Sequence, residues 1–259
     1  MNNLRTSGNP FFDGLVQIYD REYDVLLPIF YYNAASFTGI FTADTEKVKA
    51  HLPFPDMKPV EIFPGRALVA LTALEYKDTD IDPYNEFSVA VLITYRERNI
   101  PVYSLLKQLF QNSLKTYILS LPVTTDRARR GGVELGGYPK FLAEIEFKDT
   151  PGERVCVVST GNHRLLTFYG KKTKTQKGRK IHAKVYTSMQ GKAMSANLYM
   201  NQKEFSQTLG KGNSGIDIGS GHLVCDILNN IGLSKHPLAY QYVPNYEAIL
   251  FNPKNIIDI

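Results

Sequence analysis

Leu121-Pro122-Val123-Thr124-Thr125-Asp126-Arg127-Ala128-Arg129-Arg130-Gly131-Gly132-Val133-Glu134-Leu135-Gly136-Gly137-Tyr138-Pro139-Lys140-Phe141-Leu142-Ala143 is the stretch on which the reading of this chain turns. Pro139 holds Tyr138 in an extended conformation, because the proline ring clashes with a helical residue before it. Gly136 and Gly137 permit close backbone approach or a positive φ. Lys140 is then flanked by Tyr138, Pro139, Phe141 and Leu142, which offer it an apolar neighbourhood. An amine attacks a carbonyl only when unprotonated, and at the ordinary lysine pKa of about 10.4 roughly one amine in 2,500 is free at pH 7. Burial disfavours the ammonium form. A protonated imine, once formed, is an electron sink for a carbanion at the neighbouring carbon. The bland alternative is a surface lysine at a strand start with its stem lying on apolar neighbours.

Working outward, strand signals dominate. Tyr31–Thr42, Arg66–Tyr76, Glu86–Tyr95 and Lys115–Val123 read as strands upstream of Lys140, rich in β-branched and aromatic residues. Downstream, 141–147, 154–160, 165–169, 180–189, 193–200 and 240–251 read the same way. Glu86–Tyr95 begins in partial alternation and becomes continuously apolar, as a central strand does. Helices are expected over 43–52, capped by Asp44 or Thr45 and closed by Pro53, then over 102–110 and 221–231. Residues 124–130 read as a short helix or turn. Many strands, few long helices and no regular βαβ alternation exclude a Rossmann sheet. They predict an α+β protein, mainly antiparallel β, with a closed or barrel-like sheet and small peripheral helices. One domain over 1–259 is expected, with 1–25 as an N-terminal arm.

Composition narrows the function classes. The 259 residues carry a formal net charge of +5, too modest for the localised basic face of a nucleic-acid binder. Cys156 and Cys225 are the two cysteines, too few for a disulfide framework. The five histidines are scattered, with no close pair and no nearby cysteine, so no metal is expected. Met1–Gly8 lacks the apolar stretch of a signal peptide, and no run approaches a membrane span of ~20 residues. The expectation is a cytoplasmic protein with no membrane or nucleic-acid partner. Lys171 to Lys184 carries a basic run that reads as a solvated hairpin loop. The glycines between 210 and 221 follow neither a dinucleotide fingerprint nor a P-loop, and read as a loop.

Glu134-Leu135-Gly136-Gly137-Tyr138-Pro139-Lys140 resembles the Schiff-base lysine segment of the acetoacetate decarboxylase family, Glu-Leu-x-x-Tyr/Phe-Pro-Lys-Lys. Upstream, Pro83-Tyr84-Asn85-Glu86 before an apolar strand resembles the family's carboxylate-bearing segment, and Phe41–Asp44 with its helix resembles its early strand-helix unit. Together these span roughly the middle half of the chain in the family's order. The resemblance implies a Schiff-base lysine at Lys140, a pocket carboxylate at Glu86, and Tyr84, Tyr138 and Phe141 as pocket residues. It implies a small keto-acid substrate, most directly a β-keto acid losing carbon dioxide, and a homo-oligomer. The imine chemistry it implies supplies its own electron sink, so no cofactor is expected. Three positions depart from the pattern. Phe141 stands where the second lysine belongs, although in that family a second cationic group activates the nucleophile. Ala34 and Thr72 stand near an expected arginine and glutamate, and Glu75 falls on the opposite face of its strand from Thr72. These departures keep open an aldol or dehydration reaction through the same lysine, or a barrel that binds a small molecule without turnover. An ionised Glu86 would hold Lys140 as an ammonium, so a bridging water or a protonated carboxyl is expected between them.

Overall fold

The computed structural model describes Thr6 and residues 8–255. β1 (Ile18–Asp20) and β2 (Val25–Leu27) form a small antiparallel hairpin. β3 (Ile29–Asp44) runs into α1 (Thr45–Lys49), where the Asp44 carboxylate accepts from the Lys47 amide at 3.0 Å as an N-cap. Two edge strands, β4 (Met57–Pro59) and β5 (Glu61–Phe63), precede the hairpin of β6 (Arg66–Thr79) and β7 (Tyr84–Tyr95). Next come α2 (Tyr103–Phe110), β8 (Ser113–Val123), α3 (Asp126–Gly136) and the three-residue β9 (Lys140–Leu142). β10 (Glu144–Asp149), β11 (Glu153–Thr160) and β12 (His163–Lys171) form a meander. β13 (Gln176–Lys177) leads to the long hairpin of β14 (Lys180–Met189) and β15 (Lys192–Leu209). β16 (Ser214–Ile218), α4 (Leu223–Asn230), β17 (Ala239–Leu250) and β18 (Lys254–Asn255) complete the described chain.

Seven strands close into a barrel in the order β3-β6-β7-β8-β14-β15-β17, with β17 pairing back to β3. All neighbours are antiparallel except β8 and β14, which run parallel, and β9 adds to β8 in parallel. A second sheet, β10-β11-β12-β16, packs on the outside of the barrel with α4. This is the mainly antiparallel, barrel-like α+β fold that the strand count implied.

The principal core lies between barrel and second sheet rather than inside the barrel. The outward residues of β6 and β7, including Val69, Leu71, Val89 and Val91, meet Cys156, Leu166 and Phe168 there, and Val224 and Leu228 of α4 join them. Phe168 is fully buried, stacks on Phe37 at 4.9 Å and 8°, and meets Phe87 edge-on at 5.6 Å. The segment expected as an arm lies against the barrel: Phe12 is 2% exposed and packs on Phe30 and Ile249. Residues 1–5 and Ser7 of that arm are outside the described set.

Two local expectations need revision. The helix begun at 124–130 extends to Gly136 as α3, with Thr125 as its N-cap and Gly137 at φ 60° closing it. The 210–221 glycine loop contains β16, which pairs with β12. Since Phe168 joins the two layers, Phe168→Ala is expected to lower unfolding stability by about 3–5 kcal/mol. Urea denaturation reads this, and a loss below about 1 kcal/mol would contradict the placement of the core.

Candidate active site in the barrel

Successive side chains of a strand alternate faces, so each barrel strand sends every second residue into the lumen. On β7 these are Tyr84, Glu86, Ser88, Ala90 and Leu92; on β6 they are Ala70, Thr72, Leu74 and Tyr76. Small barrels are normally filled by their inward side chains. Here Ala70 faces Ala90 and Thr72 faces Ser88 on adjacent strands, and a cavity of about 300 Å³ remains.

Lys140 enters this cavity from β9. α3 ends at Gly137, whose left-handed φ is one that side-chain-bearing residues rarely adopt and whose added Cβ would lie 2.5 Å from the Ser188 carbonyl oxygen. The chain then passes through Tyr138 and Pro139 and pairs Lys140 with Leu121. The lysine stem crosses α3 at Gly132, where a Cβ would lie 2.6 Å from Cδ and 2.7 Å from Cε. Gly132 is therefore the opening through which Lys140 reaches the lumen.

The Lys140 Nζ stands 3.0 Å from the Glu86 Oε2, with the two side chains 9% and 8% exposed. That direct contact leaves no room for a water between them, which rules out the bridged arrangement, one of the two expected. The Tyr76 hydroxyl donates to the Glu86 Oε1 at 3.4 Å. Tyr84 and Tyr138 present their rings 5.6 and 5.9 Å from the amine, and the Tyr31 and Tyr84 hydroxyls are 3.3 Å apart. Tyr246 also lines the cavity. Burial pushes the phenols of Tyr31, Tyr76, Tyr84, Tyr138 and Tyr246 well above their ordinary range, and the Glu86 charge adds to the shift in each. All five are therefore neutral hydrogen-bonding groups at physiological pH.

Four of the five sequence-selected residues, Lys140, Glu86, Tyr84 and Tyr138, meet in this cavity. Phe141 does not: as the next residue of β9 it turns to the opposite face, packs on the outer core and lies 4.8 Å from the His222 ring. Phe141 thus contributes nothing to the dryness around the amine. Tyr31, Tyr76 and Tyr246 were missed. Their signal was their inward parity on strands already recognised. Thr72 faces the lumen and its hydroxyl lies 3.0 Å from that of Thr38, while Glu75 faces outward and pairs with Arg154. Ala34 is fully buried and uncharged. Glu134 is partly exposed and pairs with Arg130 at 3.7 Å. Arg127 and Lys140 are the cations of the described cavity wall, and Arg127 is held by Asp82 at 2.8 Å and by the Asp24 carbonyl at 3.0 Å. Among the described residues no cluster of three or more His, Cys, Asp or Glu could hold a metal, and no helix is long and apolar enough to cross a membrane.

The raised phenol pKa values make stability depend on pH. Each tyrosine keeps its proton in the folded state after the unfolded chain has lost it, so its contribution is complete below about pH 10 and declines as pH rises beyond. The unfolding free energy from urea titrations is expected to be level from about pH 8 to 9.5 and then to fall, by about 1.4 kcal/mol per pH unit for each buried phenol. Tyr138→Phe should make the decline shallower, and an unchanged slope would contradict a buried, neutral Tyr138.

The comparisons agree with this architecture. The family described as acetoacetate decarboxylase (ADC) matches residues 20–208. No curated protein matches the chain. Among solved structures, an acetoacetate decarboxylase superposes with a TM-score of 0.63 at 15% identity, covering 88% of this chain and 89% of the other. The acetoacetate decarboxylase of Legionella pneumophila does so at 0.63 and 14%, covering 88% and 87%. MppR, an enduracididine biosynthesis enzyme complexed with pyruvate, gives 0.60 at 10% identity, covering 88% and 89%. At these identities the structures share the fold, while the match over residues 20–208 carries the lineage, and the chain belongs to the acetoacetate decarboxylase family.

Proposed function

We propose that this protein is a Schiff-base enzyme in which Lys140 attacks the ketone of a keto-acid and the resulting imine drives decarboxylation. The observation that carries the reading is that the barrel brings Lys140 and Glu86, with side chains 9% and 8% exposed, together in a mostly apolar lumen. The Glu86 carboxylate can take a proton from the ammonium, freeing the lone pair that attacks the carbonyl carbon. The carbinolamine then loses water, for which the Glu86 acid returns the proton. In the protonated imine, the electrons of the bond to the departing carbon dioxide move onto nitrogen and leave an enamine. Glu86, left ionised when the carbinolamine lost water, takes up a proton from solvent and, standing beside that nitrogen, is placed to hand it to the enamine carbon, and hydrolysis releases product and restores Lys140. The neutral phenols of Tyr76 and Tyr84 supply hydrogen bonds without adding charge.

A second reading also has a specific support. With Phe141 outside the cavity and Arg127 bound to Asp82, the wall offers a substrate carboxylate little free positive charge. The same imine could then serve an aldol or dehydration step, where proton removal replaces loss of carbon dioxide.

The test is intact-protein mass spectrometry after borohydride treatment with a panel of keto-acids that includes acetoacetate and pyruvate. A reduced adduct mapped to Lys140 and missing from Lys140→Ala is expected. No adduct from any keto-acid on folded protein would overturn the reading. Glu86→Gln should still be trapped but should turn over about 10²–10⁴-fold more slowly, the usual worth of a general acid–base. Release of carbon dioxide, or its absence, separates the two readings.

A further inference from the structure

The cavity continues well past the reacting pair. From Glu86 the lumen follows β7 through Ser88 and Ala90 to Leu92. Six residues at about 3.3 Å each make this roughly 20 Å. Beyond the Thr38, Thr72 and Ser88 level, the wall changes to Ile40, Ala70, Ala90, Ile118 and Val185. No Asp, Glu, Lys or Arg lines the cavity there among the described residues. At the far end Leu92 packs with Val60, Leu68 and Leu105 of α2. The space exists because adjacent strands set two small residues, Ala70 and Ala90, side by side on the lumen wall, where larger residues would fill a barrel of this size. A substrate the size of acetoacetate would occupy the Lys140 end and leave this length empty. An empty apolar lumen forfeits the contacts that a chain within it would make.

We infer that the substrate is a keto-acid with an extended, unbranched alkyl chain that lies along the lumen over the small side chains of Ala70 and Ala90, with its ketone at Lys140. This rests on the imine reading above and narrows its substrate class. For a β-keto acid the balanced reaction is R–CO–CH₂–COO⁻ plus a proton giving R–CO–CH₃ and carbon dioxide, with R the chain in the lumen. Ala70 and Ala90 are then the residues that set chain length.

The experiment separates chain recognition from imine chemistry by using 2-alkanols, which resemble the methyl ketone product and cannot form an imine. Calorimetric titration of the full chain with 2-butanol through 2-nonanol is expected to show affinity rising about fourfold per added methylene. In Ala90→Phe, or in the milder Ala70→Val should the first fail to fold, the rise should stop at a shorter chain. Affinity independent of chain length in the wild type, or a rise that the folded variants leave unaltered, would overturn the inference. Chain-length dependence without any borohydride adduct at Lys140 would support the lumen assignment and overturn the imine reading instead.

Discussion

The structure is organised around one buried contact, the amine of Lys140 against the carboxylate of Glu86. Removing two charges from water costs on the order of several kcal/mol per ion, and their attraction offsets this only when the geometry is good. Good geometry here requires parts from distant places in the chain. Gly137 ends α3 and Pro139 redirects the backbone, Gly132 clears the stem, and β7 sets Glu86 inward. Tyr76 adds a hydrogen bond to the second carboxylate oxygen. Loss of either charged partner would strand the other in an apolar lumen, so the pair constrains every element that touches it.

The barrel can devote its interior to this contact because its stability comes from elsewhere. The large side chains of β6 and β7 point outward, into the layer shared with the second sheet and α4. Between the Tyr76–Tyr84 end and Leu92, their inward neighbours include the small residues Ala70, Thr72, Ser88 and Ala90. This division follows from strand alternation alone: one face of the same strand builds the core while the other shapes a cavity. A change in an inward alanine therefore alters the space available to a ligand with little effect on the layer that holds the fold.

Much of this was legible because strands announce themselves by composition and period. β7 and β8 were placed within two residues, and Glu75 was correctly assigned to the face opposite Thr72 by parity alone. The same parity argument, applied to β9, places Phe141 opposite Lys140, but the resemblance drew both toward the pocket. α3 was read short because its centre, Gly131-Gly132, has poor helix propensity, and Gly132 is retained there for the passage of a lysine stem. β16 escaped notice for a related reason. Gly215 lies where a Cβ would collide with Tyr169, so glycine marks close packing of a strand rather than a loop. The tyrosine cluster was invisible as a cluster because Tyr31, Tyr76 and Tyr246 lie on three strands whose adjacency only the closed barrel establishes.

The electrostatics of the lumen bear on the proposed chemistry. Five buried phenols hold their protons, so they contribute dipoles and no net charge. The ionic groups nearest the reaction are then one cation and one anion, which cancel. A keto-acid that forms an imine replaces the ammonium with an iminium and adds its own carboxylate, giving the lumen one uncompensated negative charge while Glu86 stays ionised. Departure of that carboxylate as neutral carbon dioxide converts the iminium to a neutral enamine; the net charge is unchanged, but two charges that an apolar lumen solvates poorly disappear together, whereas proton removal from the neighbouring carbon leaves the carboxylate in place. A site with a second lysine would compensate the charge in the ground state. This lumen instead favours the step in which iminium and carboxylate neutralise each other, which is why we propose decarboxylation ahead of aldol chemistry despite the missing cation.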